Sequence, residues 1–340
     1  LIDESKLKSY FQNKNILVTG GTGSIGQQIV ASLLAYNPRK IVVFSKDDSK
    51  QYLMKQAYKQ HDNIFYLLGD VRDYDSVEYA TRGMDLVFHV AALKQVPVCE
   101  ENPLEAVKTN IMGSENVIRA CIHHQVKKVV NVSTDKAVNP TNTMGATKLL
   151  SEKMFKNANR KLNNHNTLFC SVRFGNVLNS RGSVIPLFME QARHGKDLTV
   201  TDPSMSRFIM TIADAAQLTL KSSYYSKGGE IFIFKMKGIN ILQLAEAVQK
   251  YIHQKGSTKP KIEQIGKRPG EKIYEELIYT HELEHIMDDE ELYVILPEHH
   301  NTYHHFKQAM APSIRSDQVS MLGEKEIIDI LKKLDVEKAD

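Results

Sequence analysis

Apolar residues in the first half of the chain gather in short unbroken runs rather than in alternation. They are NILVTG (15–20), KIVVFS (40–45), NIFYLLGD (63–70), MDLVFHVAA (84–92), KKVVNVST (127–134) and TLFCSVRF (167–174). A run without polar alternation predicts a strand buried on both faces, as in a parallel sheet. Between the runs, apolar positions recur at helical spacing, as in Leu104 to His124 and Gly145 to Leu162. Parallel neighbours need such crossovers, so the pattern predicts an α/β fold built on a Rossmann-like doubly wound parallel sheet. After Phe174 the pattern loosens, with loops at Gly182, Pro186, Pro203 and Pro269, although EIFIF (230–234) and Ile241 to His253 stay regular. This half is expected to form a smaller mixed C-terminal region. No internal repeat or low-complexity tract is present, and PEHHNTYHH (297–305) reads as a solvated loop.

Composition narrows the function classes. The chain has 340 residues and a net charge of +4, and no basic cluster is interleaved with aromatics, so no nucleic-acid partner is expected. Three cysteines, Cys99, Cys121 and Cys170, form no CxxC pair, which suits a reducing compartment. No apolar run approaches the roughly 18 residues of a membrane span, and the opening LIDESKLKSYF lacks a signal-peptide core. The expectation is a cytoplasmic protein. A start at Leu1 rather than Met leaves an upstream segment open.

Chemistry is first visible after the opening strand, in GGTGSIG (20–26). Gly20, Gly23 and Gly26 stand at GxxGxxG spacing, with Thr22, Ser24 and Ile25 between them and a helix expected from about Ser24. Glycines let the backbone approach a pyrophosphate, and the helix N-terminus offers it unpaired N–H groups and a favourable dipole. The second strand ends in Ser45 and Lys46, which suit the 2′-phosphate of NADP, whereas Asp47 one step on keeps NAD possible. By topology, Asp70 and Val71 lie where an adenine edge would sit, and Ala91 and Ala92 beneath the pyrophosphate and nicotinamide. Residues 1–174 are thus expected to be an NADP-binding domain, with 208–255 returning to it. Residues 175–340 are expected to form a discontinuous substrate-binding region.

The fifth strand runs into STDKAVNP (133–140), followed by MGATK (144–148). Together with TGGTGSIG, HVAALKQVP (89–97), RFGNV (173–177), RGSVIP (181–186), TDPSMSRF (201–208) and RPGEK (268–272), these segments resemble the extended short-chain dehydrogenase/reductases. Within that superfamily they are most similar to the soluble UDP-N-acetylglucosamine 4,6-dehydratases of capsule and flagellin-sugar biosynthesis. The resemblance implies oxidation at the sugar C4, loss of water across C5 and C6, and hydride return to C6, with NADP regenerated. Asp135 matches the family's acid toward the C6 oxygen, and Lys136 the base at C5. Such a base must be neutral, so its pKa must be lowered by burial or by nearby positive charge. Lys148 matches the lysine of the YxxxK motif, which holds the nicotinamide ribose. The tyrosine position is Met144, whose thioether has no proton to exchange. Some family members also carry Met there, and Asp135, beside Thr134, becomes the first candidate to deprotonate the C4 hydroxyl.

The same resemblance implies substrate contacts. Arg207 and Arg268 match positions that clamp a diphosphate, Glu271 one that meets the uridine ribose, and Lys94 and Asn176 would face hexose, pyrophosphate or cofactor. Val184, Ile185, Pro186 and Thr201 would wall the uracil. A homo-oligomer is also implied. HELEH (281–285) satisfies the zincin HExxH pattern, but no third histidine follows at metzincin spacing, so a solvated helix with Glu and His outward is expected and no metal is assigned. His299, His300, His304 and His305 are assigned no function. Two further readings stay open: a UDP-sugar 4-epimerase, and a non-catalytic NADP-sensing module. The Asp135–Lys136 pair argues against both.

Overall fold

In the computed structural model, which describes residues 3–180, 182–256, 259–297, 306–310, 312 and 314–336, each of the six apolar runs forms a strand. They are β1 (Asn15–Thr19), β2 (Lys40–Ser45), β3 (Ile64–Leu68), β4 (Leu86–His89), β5 (Lys128–Val132) and β6 (Leu168–Arg173). Chain order then gives β7 (Asn176–Val177), β8 (Leu198–Val200), β9 (Ser206–Met210), β10 (Ile231–Phe234), β11 (Lys237–Asn240), β12 (Ile262–Gln264), β13 (Ile286–Asp288), β14 (Leu292–Ile295) and β15 (Lys307–Gln308). The main sheet runs β15-β13-β14-β10-β6-β5-β4-β1-β2-β3. Its members from β3 to β10 are parallel, with register pairs such as Leu17↔Val42 and Val130↔Cys170. β14, β13 and β15 extend it antiparallel. Strand order reverses between β1 and β4, the switch point at which doubly wound sheets bind their ligands.

The chain divides into two compact units. The first comprises residues 1–174, 213–235 and 278–312 and contains the whole main sheet. Part of its core joins Leu17, Val42, Phe44, Val87 and Val129 from the strands to Val117, Ile118 and Phe155 from crossover helices. The second comprises 175–212, 236–277 and 313–340. It holds a three-stranded sheet β11-β9-β7 and the pair β12-β8. The helices Val184–Arg193, Ile241–Gln254 and Glu324–Val336 close a separate core around Phe188, Leu244, Val248, Ile327 and Leu331. The fold is thus an α/β Rossmann-like parallel sheet with small mixed C-terminal sheets.

The segment read as one long helix from Leu104 is subdivided into helix Pro103–Ala106, a π-helical turn Val107–Met112 and helix Gly113–His123. The wider turn leaves Asn110, 1% exposed, to hold the loop after β4. Its side chain accepts from Leu93 N–H at 2.8 Å and donates to the Leu93 carbonyl and to Thr147 Oγ1 at 3.0 Å each.

Candidate active site

The candidate residues of the first unit follow the carboxyl ends of the parallel strands. After β1 the backbone turns at Gly20 with φ +65°, a left-handed conformation that favours glycine. A Cβ there would lie 2.7 Å from the Ala91 nitrogen, and one on Gly26 would lie 2.4 Å from the Gly20 carbonyl oxygen. The loop is therefore packed tightly, with the N–H groups of Gly20 and Gly21 turned to the Phe44 carbonyl and that of Gly23 to the Gly20 carbonyl. Helix Ser24–Leu34 begins at Gly23 with no side-chain cap and no acid in its first turn. Its first donors are left for an anion, so the residues present fit a dinucleotide pyrophosphate. Thr22 Oγ1 bonds Ser45 Oγ at 2.8 Å, tying this loop to the end of β2.

At that end Ser45 is buried and Lys46 exposed, 3.7 Å from Asp70. Asp47 caps helix Asp48–Ala57, accepting from Lys50 N–H at 2.9 Å and contacting the Lys50 ammonium. Asp70 is also gripped by Arg72, which reaches it at 2.6 Å and Glu105 at 2.7 Å, a cation absent from the sequence-based assignment. The hydrogen bonds of Arg72 and the charges of Lys46 and Arg72 outweigh burial and keep the Asp70 pKa below its ordinary value. Val71 packs into the core, while Ala91 and Ala92 are half-buried and Lys94 is exposed in the Asn110-held loop.

The turn after β5 gathers the catalytic candidates. Ser133 N–H bonds the Val172 carbonyl and Asp135 N–H the Phe174 carbonyl, so the backbone beyond β5 stays paired to the neighbouring strand end. It then coils into the 3-10 turn Asp135–Ala137, capped by Thr134. Asp135 is fully buried, its Oδ1 accepting from Thr134 Oγ1 at 2.8 Å and Lys136 Nζ at 3.0 Å. Its Oδ2 is buried with no partner among the described residues, as is Ser133 Oγ. Such atoms are costly unless a ligand or water completes them. The Lys136 side chain remains one-fifth exposed.

Helix Thr143–Ala158, capped by Asn142, carries Met144 and Lys148. Gly145 lets it press on the turn, because a Cβ there would sit 2.2 Å from the Lys136 carbonyl oxygen. Met144 is 4% exposed and packs with Cys99 and Ala106, flanked by Leu93 and Val96. Its side chain fills an apolar niche. Burial lowers the Lys148 pKa to about 8, against the opposing pull of Glu152 one helical turn on. Fully buried His89 is held neutral, its pKa pushed down to about 3 by desolvation and then by Lys148. It bonds Thr19 Oγ1 at 2.8 Å.

Sequence reasoning missed a buried ionic cluster behind this turn. Arg173, the last residue of β6, is 0% exposed. It bonds Glu152 at 2.7 and 3.1 Å and Glu282 at 2.9 and 3.2 Å. Glu282 belongs to HELEH and corrects the expectation of a solvated helix. The segment Thr280–His285 is a 3-10 helix, and its central glutamate is buried, drawn in by an arginine that would otherwise be an unpaired interior charge. The usable signal was the single Arg ending an apolar run. His299, His300, His304 and His305 lie outside the described residues. Elsewhere Glu78, His123 and His124 bring potential ligand atoms within 4.8 Å of one another, but Arg82 and His124 already bond Glu78 at 2.7 Å.

In the second unit Arg207 is buried on β9, donating to the carbonyls of Ser206 at 2.7 Å and Ile273 at 3.3 Å and lying 3.8 Å from Glu275. Exposed Arg268 and half-buried Glu271 share one turn, Arg268 N–H donating to the Glu271 carboxylate at 3.0 Å. Asn176 opens β7. Val184 and Pro186 are half-buried in the first turn of their helix, whereas Ile185 points into the core. Thr201 Oγ1 lies 3.5 Å from Met205 Sδ.

Residues 16–297 match the polysaccharide biosynthesis protein family. The structure of Pen from Bacillus thuringiensis is similar, with 42% identity, a TM-score of 0.90, and coverage of 95% of this chain and 98% of that one. The uncharacterized membrane protein MJ1061 of Methanocaldococcus jannaschii is 47% identical over 86% of this chain and 88% of its own. A UDP-glucose 4-epimerase of Rickettsia bellii is 46% identical over 80% of each chain. With its glycine cradle, its strand-end turn and this match across most of its length, the chain belongs to the polysaccharide biosynthesis protein family and has the extended short-chain dehydrogenase/reductase fold.

Proposed function

We propose that this chain is a nucleotide-sugar 4,6-dehydratase that converts UDP-N-acetylglucosamine, or a close UDP-sugar, to the 4-keto-6-deoxy product in surface-polysaccharide synthesis. The observation that carries the proposal is the buried Asp135 carboxylate, one oxygen bonded to Thr134 and Lys136 and the other lacking a partner among the described residues. Bound in the Gly20–Gly26 cradle, NADP would supply a hydride acceptor that becomes the donor later in the same turnover. Lys46, exposed at the end of β2, supports NADP, whose 2′-phosphate suits a cation, while Asp47 one step on keeps NAD open.

Proton accounting assigns the remaining roles. Asp135 takes the C4 hydroxyl proton, because Met144 cannot, and so becomes the carboxylic acid that protonates the departing C6 hydroxyl. Lys136, as a free amine, removes the C5 proton and later returns it. Both groups end the cycle as they began. Lys148 is the buried cation offered to the nicotinamide ribose. Arg207, Arg268 and Glu271 are assigned to the diphosphate and uridine, and Asn176 and Lys94 to the hexose side.

Incubating the protein with UDP-N-acetylglucosamine in deuterated water, with NADP or NAD, and following the sugar by proton NMR tests this. A C6 methyl signal is expected, without net consumption of cofactor. In Lys136→Ala the methyl should vanish while dinucleotide binding persists, and full activity in that variant would remove Lys136 from the chemistry. The name of the Rickettsia relative favours a second reading, 4-epimerisation. It predicts inversion at C4 with no methyl, and it leaves the Asp135–Lys136 pair without a task.

A further inference from the structure

Resting on the dehydratase reading, we propose that Tyr279 is a positioning residue for the catalytic turn, its hydroxyl holding the Asp135–Ala137 backbone while Arg173 and Glu282 hold Tyr279. The Tyr279 hydroxyl donates to the Ala137 carbonyl at 2.6 Å. It also accepts from the Asn139 backbone N–H. The phenol therefore bridges the turn from the residue after Lys136 to Asn139, whose φ of +44° is left-handed, a conformation Asn adopts more readily than other residues with side chains. Burial raises the phenol pKa above its ordinary value, so the hydroxyl keeps the proton that it donates.

Tyr279 is fixed in turn. Its backbone N–H donates to Glu282 at 2.8 Å, and its ring lies 5.7 Å from the Arg173 guanidinium. Arg173 grips Glu282 on one side and on the other Glu152, one turn beyond Lys148 on the helix whose first residues press on the Lys136 carbonyl. The turn is thus approached closely by Gly145 and hydrogen-bonded by Tyr279, and Arg173 ties together, through Glu152 and Glu282, the two elements that carry them. A buried ionic triad stabilises little compared with apolar packing of the same volume, and under this proposal its part here is to fix the orientation of Tyr279. The glutamate of the HExxH pattern then serves to aim Tyr279, without a metal.

Tyr279→Phe removes one hydroxyl and keeps the ring. Expected are a kcat for dehydration lowered 10- to 100-fold, a KM for UDP-N-acetylglucosamine within twofold, unchanged NADP affinity and a melting temperature within a few degrees of wild type. Hydrogen exchange at the amides of residues 137–139 should accelerate at least tenfold in the variant, a readout that needs no substrate. Faster exchange with unaltered kcat would overturn the positioning role, as would unaltered exchange. A wild-type protein that forms no C6 methyl refutes the dehydratase reading instead, and the exchange comparison then judges the restraint alone.

Discussion

Lys148 is buried, at 5% exposure, and its pKa of about 8 lies within reach of ordinary buffers. If the ammonium is the form that holds the dinucleotide, affinity should be constant below pH 7 and fall above about 8, approaching tenfold per pH unit. Isothermal titration calorimetry of NADP between pH 6 and 9.5 checks this, and Lys148→Met should give weak, flat binding. The sign for stability is the reverse of that for binding. The unfolded chain holds this proton up to the ordinary lysine value of 10.5, so the residue's contribution to stability rises with pH between about 8 and 10.5. Lys148→Met should accordingly melt no lower than wild type at pH 7. At this scale the glycine spacing and the Asp135–Lys136 adjacency were legible, because both are local in sequence. Arg72 and Tyr279 were not, since their importance comes from neighbours 33 and 142 residues away, Glu105 and Ala137.

Arg173 links three elements: strand β6, helix Thr143–Ala158 and the 3-10 turn Thr280–His285. Arg173→Leu would leave Glu152 and Glu282 buried and opposed, at a cost of about 3–5 kcal/mol. Urea denaturation at pH 7 should show that loss. Without the guanidinium, burial raises the carboxyl pKa values in the folded state, so the folded protein binds protons more readily and the deficit should narrow as the pH falls toward 5. A deficit independent of pH would mean that packing, not charge, dominates. Long apolar runs and helical periods showed the parallel strands and their crossovers to within a few residues. The π-helical turn at Val107–Met112 was invisible, because its one-residue widening leaves the apolar period almost intact. HELEH misled because the pattern of Glu and His matches an exposed helix, and only the distant Arg173 draws Glu282 inward.

At the scale of the whole molecule, the two units have separate cores, and the second depends on the end of the described chain. Helix Glu324–Val336 contributes Ile327 and Leu331, both 1% exposed or less, to a core shared with helix Ile241–Gln254. Ending the chain at Gly323 would remove two buried aliphatic side chains, worth together about 3–6 kcal/mol. Hydrogen exchange of the truncated protein should show faster exchange in helix Ile241–Gln254 and unchanged protection in β1, β4 and β5. The net charge of +4 over this length also fits a protein that recognises small anions at built sites rather than by a charged surface.

The strand order also constrains how the protein emerges from the ribosome. β1 to β6 are synthesised in one stretch, but the second partner of β6, strand β10, begins at Ile231, and the outer strands β13 to β15 lie between Ile286 and Gln308. Until those segments leave the exit tunnel, the nascent sheet presents β6 as an open edge, its N–H and C=O groups unpaired along one side. At roughly 5–20 residues per second, that exposure lasts several seconds for each new chain. The interval between Arg173 and Ile231 is therefore the window in which a holdase, or misassembly with a neighbouring nascent copy, competes for the half-built sheet.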